Sequence, residues 1–116
     1  VGSILTDYHR TGKKVEAHPY LIEGVGEDII PDNVKFPLID DFVQVSDQEA
    51  ITMLHRLAKE EGIFAGSSSG MAVAGAIKYA EKLSGGRMLV IIPDNGSKYL
   101  GKFFNEEWLK SKGIQV

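Results

Sequence analysis

The chain has 116 residues, 43% hydrophobic and 25% charged, enough to bury a core in one small domain. Its formal net charge of −3, with no basic run, argues against nucleic acid as the main partner. It has no cysteine, which excludes disulfides and thiolate chemistry within the chain, and no apolar stretch approaches the length of a membrane span.

The opening Val1-Gly2-Ser3-Ile4-Leu5 has neither the charged nor the apolar region of a signal peptide, and no initiator Met. A cytoplasmic setting and a start inside a longer protein are therefore expected. Residues 2–5 end a strand or open a helix, and Thr11-Gly12-Lys13-Lys14 reads as a loop. Residues 20–22 form a short apolar run that halts at Glu23-Gly24-Val25-Gly26, a strand leading into a tight turn. Pro31 and Pro37 punctuate an irregular stretch, and residues 42–45 are β-branched and aromatic, as in a short strand.

Ser46-Asp47-Gln48-Glu49 fits a capping box, and Ala50, Met53, Leu54, Leu57 and Ala58 follow at helical spacing up to Gly62. His55 falls on the outer face of that helix. Residues 63–65 read as a short buried strand. Gly66-Ser67-Ser68-Ser69-Gly70 is a loop before a second helix, whose inner face carries Val73, Ala76, Ile77 and Ala80 and which Gly85-Gly86 ends. The continuous apolar run of residues 88–92 has the pattern of a strand buried on both faces. Pro93-Asp94-Asn95-Gly96 then turns, and Asn105 caps a last helix over residues 106–112, stopped by Gly113. This order predicts an α/β layer with a parallel sheet. Ligands of such sheets sit at the carboxyl ends of strands, which here are residues 66–70 and 93–96.

Three hydroxyls beside the unpaired N–H groups of a helix start favour a polar or anionic ligand; simple capping of the helix by serine is the plain alternative. No Gly-Lys-Ser/Thr follows, so residues 66–70 are not a Walker loop. Gly24 and Gly26 allow backbone to lie against a flat ligand, or merely form a turn. The neighbouring carboxylates Glu27-Asp28 and Asp40-Asp41 are an acid/base or metal site or, more ordinarily, solvated surface. His9, His18 and His55 share no metal-ligand spacing. Tyr99 and Trp108 read as packing residues.

Taken together, four segments resemble the fold type II pyridoxal-phosphate enzymes of the cystathionine β-synthase / cysteine synthase family. They are Gly2-Ser3-Ile4-Leu5, Glu23-Gly24-Val25-Gly26, Gly66-Ser67-Ser68-Ser69-Gly70 and Ile92-Pro93-Asp94-Asn95-Gly96-Ser97-Lys98-Tyr99-Leu100. The resemblance implies that residues 1–116 are the C-terminal part of the catalytic domain, a parallel-rich sheet flanked by helices. It implies pyridoxal 5'-phosphate as cofactor, with Ser68 bonding the pyridine nitrogen, backbone of Gly24, Val25 and Gly26 passing along the cofactor, and Pro93 flanking the ring. The runs Glu23-Gly24-Val25-Gly26-Glu27-Asp28-Ile29-Ile30-Pro31 and Lys102-Phe103-Phe104-Asn105-Glu106-Glu107-Trp108 resemble the cystathionine β-synthase branch, although Glu27 stands where animal members carry Tyr. That branch joins serine and homocysteine; the neighbouring branch makes cysteine from O-acetylserine and sulfide. A non-catalytic module binding a phosphorylated ligand is the rival from another class. The family's cofactor-anchoring lysine motif, its asparagine-bearing substrate loop and its phosphate cradle have no counterpart in the chain. No catalytic residue is therefore expected within it, the rest of the same polypeptide is its expected partner, and no regulatory domain is expected after it. Family members are usually homodimers.

Overall fold

The computed structural model describes residues 2–116. Its regular structure is four α-helices, α1 (Leu5–Thr11), α2 (Asp47–Glu60), α3 (Ser67–Ala80) and α4 (Glu106–Ser111), with 3₁₀ turns at Phe36–Leu38 and Gly96–Tyr99.

Local signals decide where the helices start and stop. Ser46 Oγ accepts the Glu49 N–H while the Glu49 carboxylate accepts the Ser46 N–H, so the predicted capping box closes reciprocally at the head of α2. Asn105 Oδ1 accepts the Trp108 N–H at 2.8 Å and starts α4. α4 ends in a Schellman motif: Gly113 adopts φ 72°, its N–H returns to Lys110 and that of Ile114 to Leu109. Ile114 and Leu109 are both buried, as the apolar contact of that motif requires. Residues 2–5 open a helix, as one of the two readings had it, and the helix runs on through Thr11 to Gly12 at φ 68°.

The core gathers Ile22, Val45, Ala50, Ile51, Leu54, Ala65, Ala74, Phe103, Leu109 and Ile114. Its centre is the α2–α3 contact. Gly70 makes that contact close, because a Cβ there would lie 2.3 Å from the Ala50 carbonyl oxygen and 2.8 Å from Leu54 Cβ. The face of α3 toward α2 therefore carries Ser67, Gly70 and Ala74, while Ile77 is 43% exposed and Ala80 lies at the surface. The predicted inner face, Val73, Ala76, Ile77 and Ala80, was read from apolar spacing; the close helix–helix approach at Gly70 turns a neighbouring face of α3 inward instead. His55 also departs from its outward placement. It is half-buried, its Nε2 lies 2.7 Å from the Phe103 carbonyl oxygen, and its ring packs on Phe104.

The expected α/β architecture with a parallel-rich sheet does not form. No strand occurs among the described residues, whose β pairing is an isolated antiparallel bridge between Ala65 and Asn95. A strand needs neighbours for its backbone N–H and C=O groups, and side chains supply them instead. Asp47 Oδ2 accepts the Leu21 N–H at 2.8 Å, and Lys78 Nζ donates to the Gln44 carbonyl at 3.1 Å. Residues 63–65 are buried only at Ala65. Residues 88–92, read as buried on both faces, lie open, with Leu89 91% and Ile91 76% exposed. An apolar run signals a demand for burial but does not name the surface that meets it.

Glu49 joins the capping box to α3 through Lys78, whose Nζ lies 2.7 Å from Glu49 Oε1. The Lys78 bond first, and the Ser46 N–H next, hold the Glu49 carboxyl at about 2, against an ordinary 4.5. A lowered folded-state value means that this stabilisation is complete above pH 4.5 and is lost as pH falls toward 2. The pair is partly exposed, so solvent screening limits it to about 1 kcal/mol. Urea unfolding at pH 6 and pH 3 should therefore show a smaller acid loss in Glu49→Gln than in the parent; equal losses would remove Glu49 from the acid response.

Candidate active site

Gly66 is the N-cap of α3, and no side chain caps the helix. All three serines lie inside its first turn, which sets aside the plain capping reading. Ser67 and Ser69 are fully buried and their hydroxyls have no partner. Ser68 is half-buried, and its hydroxyl has no partner among the described residues. A buried hydroxyl left unpaired costs about 1–3 kcal/mol; Ser67 and Ser69 carry that cost, and Ser68 is the one of the three whose side chain reaches the surface. Free N–H groups of the same turn add positive potential.

Residues 93–96 fold against this turn. The Gly66 N–H donates to the Asp94 carbonyl at 3.1 Å, and the Gly96 N–H to that of Phe64 at 3.2 Å. The Asp94 side chain fills the space a side chain at Gly66 would need: a Cβ there would lie 2.0 Å from Asp94 Oδ1 and 2.7 Å from Tyr99 Cε2. The Tyr99 hydroxyl donates to Asp94 Oδ2 at 2.7 Å, while Oδ1 is buried without a partner. That bond first, and burial second, push the Tyr99 phenol up to about 12, so it remains a donor across the physiological range. Pro93 is exposed one residue before this cluster.

The glycine turn is held from the other side. Gly24 and Gly26 both adopt φ 71°, the left-handed region that glycine enters without strain. Ser3 Oγ donates to the Glu27 carbonyl and accepts the Glu27 N–H, and a Cβ at Gly26 would lie 2.5 Å from Ser3 Cβ. Val25 is half-buried against the core. Ser3, Tyr20, Val25, Gly26, Val45 and Met71 line a cavity of about 170 Å³. The turn and α3 thus share a cavity at Met71, one helical turn beyond Ser68; Gly24, Ser68 and Pro93 lie outside it. Glu23 bonds Lys102 Nζ. Glu27, Asp28, Asp40 and Asp41 are all exposed, and no His/Asp/Glu cluster with metal-holding geometry occurs among the described residues.

The family described as pyridoxal-phosphate dependent enzyme matches residues 2–94. The chain belongs to this pyridoxal-phosphate-dependent enzyme family. It is 40% identical over 96 residues to a cystathionine beta-synthase of Dictyostelium discoideum, covering 82% of this chain and 19% of that protein. It is 36% identical over 114 residues to cystathionine beta-synthase of Oryctolagus cuniculus, covering 97% and 20%, and 38% identical over 106 residues to cysteine synthase A of Salmonella typhi, covering 90% and 33%. The chain thus spans about a fifth to a third of the length of these relatives.

Pyridoxal phosphate is the cofactor of this family, and the half-buried Ser68 hydroxyl fits it. Its ring nitrogen is an acceptor, and the Ser68 hydroxyl is a donor left unengaged among the described residues. Sequence reasoning did not find Asp94, Tyr99, Glu23 and Lys102 as a set. Each lies within or beside a segment that carries the resemblance, but their pairing joins positions 5 and 79 residues apart, with no periodic signature.

Proposed function

We propose that this chain is the C-terminal portion of the catalytic domain of a pyridoxal-phosphate lyase of the cystathionine β-synthase type, joining serine and homocysteine to give cystathionine. The first turn of α3 carries the reading: Ser68 offers an unengaged hydroxyl beside two buried hydroxyls that lack partners. When bound, the cofactor supplies an electron sink that labilises bonds at the α- and β-carbons of an amino acid. Ser68 donates to the ring nitrogen, satisfying it without the protonation that a carboxylate partner would favour. The positive end of α3 acts in the same direction. A neutral ring suits replacement at the β-carbon better than chemistry that needs a fully developed carbanion. Backbone of Gly24, Val25 and Gly26 lies along the cofactor, and Pro93 flanks the ring. The anchoring lysine and the phosphate cradle come from the N-terminal part of the polypeptide, which also covers the open residues 88–92, and the whole protein is a homodimer.

Relatives named for cysteine synthesis match at similar identity, so the rival reading is O-acetylserine plus sulfide. The runs 23–31 and 102–108 favour homocysteine. Full-length protein, yellow when loaded, should form cystathionine from serine and homocysteine faster than cysteine from O-acetylserine and sulfide, followed by mass spectrometry. Cysteine formation alone would move the protein to the other branch. A protein that stays colourless after incubation with pyridoxal phosphate would leave the serine turn to another ligand.

A further inference from the structure

We propose that residues 94–102 are a brace that sets the glycine turn of residues 24–26 against the first turn of α3, with Asp94, Tyr99, Lys102 and Glu23 as positioning residues for the cofactor. The inference rests on the cofactor reading above. Among the described residues no hydrogen bond runs directly between residues 23–26 and 66–70. The most direct polar connection between the two halves of the site passes through this short segment; a longer one runs from Leu21 through Asp47 and Glu49 of α2 to Lys78, eleven residues along α3 from Ser67.

Its two ends are anchored differently. At the α3 end, the hydrogen bonds Gly66 N–H to Asp94 and Gly96 N–H to Phe64 bracket the N-cap. The Asp94 carboxylate lies in the space left by the missing side chain of Gly66. Tyr99 holds that carboxylate through its hydroxyl, and its ring packs 5.6 Å from that of Phe103, which is fully buried. Tyr99 therefore couples the N-cap of α3 to the core. At the other end, the Lys102 N–H donates to the Tyr99 carbonyl at 3.0 Å, and Lys102 Nζ pairs with Glu23, the residue before Gly24. Four contacts in series thus lead from the glycine turn to the helix that carries Ser68.

Both side chains of the Glu23–Lys102 pair are about half exposed. Such pairs add little to global stability, whereas a site left slightly loose loses ligand strongly. A brace therefore predicts a dissociation of the two effects, with cofactor retention falling and the fold unchanged. The test uses full-length protein: Glu23→Lys, Lys102→Glu, the double reversal, and Tyr99→Phe. Release of pyridoxal phosphate into an excess of a trapping apoenzyme is timed, and thermal unfolding of the cofactor-free forms is recorded. Each single reversal should speed release about tenfold with the unfolding midpoint kept within about 2 °C. The double reversal should return release to near the parent rate, and Tyr99→Phe should accelerate it as well. Single reversals that release at the parent rate, or a double reversal that behaves as the sum of its parts, would overturn the brace while leaving the cofactor reading intact. A parent protein that holds no pyridoxal phosphate would overturn both.

Discussion

Replacing Gly70 with alanine is expected to destabilise the protein by about 3 kcal/mol. The added Cβ would lie 2.3 Å from the Ala50 carbonyl oxygen and 2.8 Å from Leu54 Cβ. Neither neighbour can swing away, since one is helix backbone and the other the root of a core side chain. Relief requires α2 and α3 to separate, which loosens Ile51, Leu54 and Ala74 together. Gly75 is the internal control. A Cβ there would meet its nearest neighbour, Val45 Cγ2, at an ordinary 3.5 Å, and alanine is the better helix former by about 1 kcal/mol. Urea unfolding should show Gly70→Ala shifted well below the parent and Gly75→Ala level with it or above. Equal midpoints for the two variants would mean that the helices adjust at little cost.

Ser68→Ala should reduce turnover of the full-length enzyme about ten- to hundredfold and alter the visible spectrum of its bound cofactor. That range corresponds to about 1–3 kcal/mol for an acceptor left without its donor. Thermal stability should hardly change, because the Ser68 hydroxyl bonds nothing among the described residues and does not cap α3. The measurement is therefore a pair, activity and spectrum on one side and unfolding midpoint on the other. A large fall in midpoint with an unchanged spectrum would make Ser68 a structural residue and remove the observation on which the proposed function stands.

The boundaries of α2 and α4 were legible in the sequence because their causes are local: Ser46 with Glu49, Asn105 with Trp108, Gly113 after the last turn. The burial of α3 was less so. Its inner face is chosen by how closely α2 approaches, a distance no residue of α3 carries alone. The sheet failed for a related reason. Residues 88–92 are as apolar as a buried strand, yet a strand is a relation between segments, and among the described residues no second segment pairs with them. The serines were visible as a motif but not in their arrangement. A capping serine and one in the first helical turn read alike in sequence, and only the backbone separates them, since Gly66 takes the N-cap itself. Of the five cofactor residues implied by resemblance, Val25 and Gly26 line one cavity, while Gly24, Ser68 and Pro93 lie outside it.

The bonds that α2 makes along its length bear on how the molecule acquires its shape. Its capping box is complete within four residues, so the helix can start as soon as residues 46–60 exist. Its buried face cannot be covered so early. His55 waits for Phe103, 48 residues on, and Gln48 for the backbone of Gln115, 67 residues on, which it grips through both its amide nitrogen and its amide oxygen. Helical proteins ordinarily fold fast because their contacts are near neighbours. Here the helices are local and the closures are not, and each closure orders a long loop before its contacts return any energy. The rate of folding should follow these late closures rather than the helix content: during synthesis α3 can cover part of α2 early, but the contacts to Phe103 and Gln115 wait for the last residues to emerge.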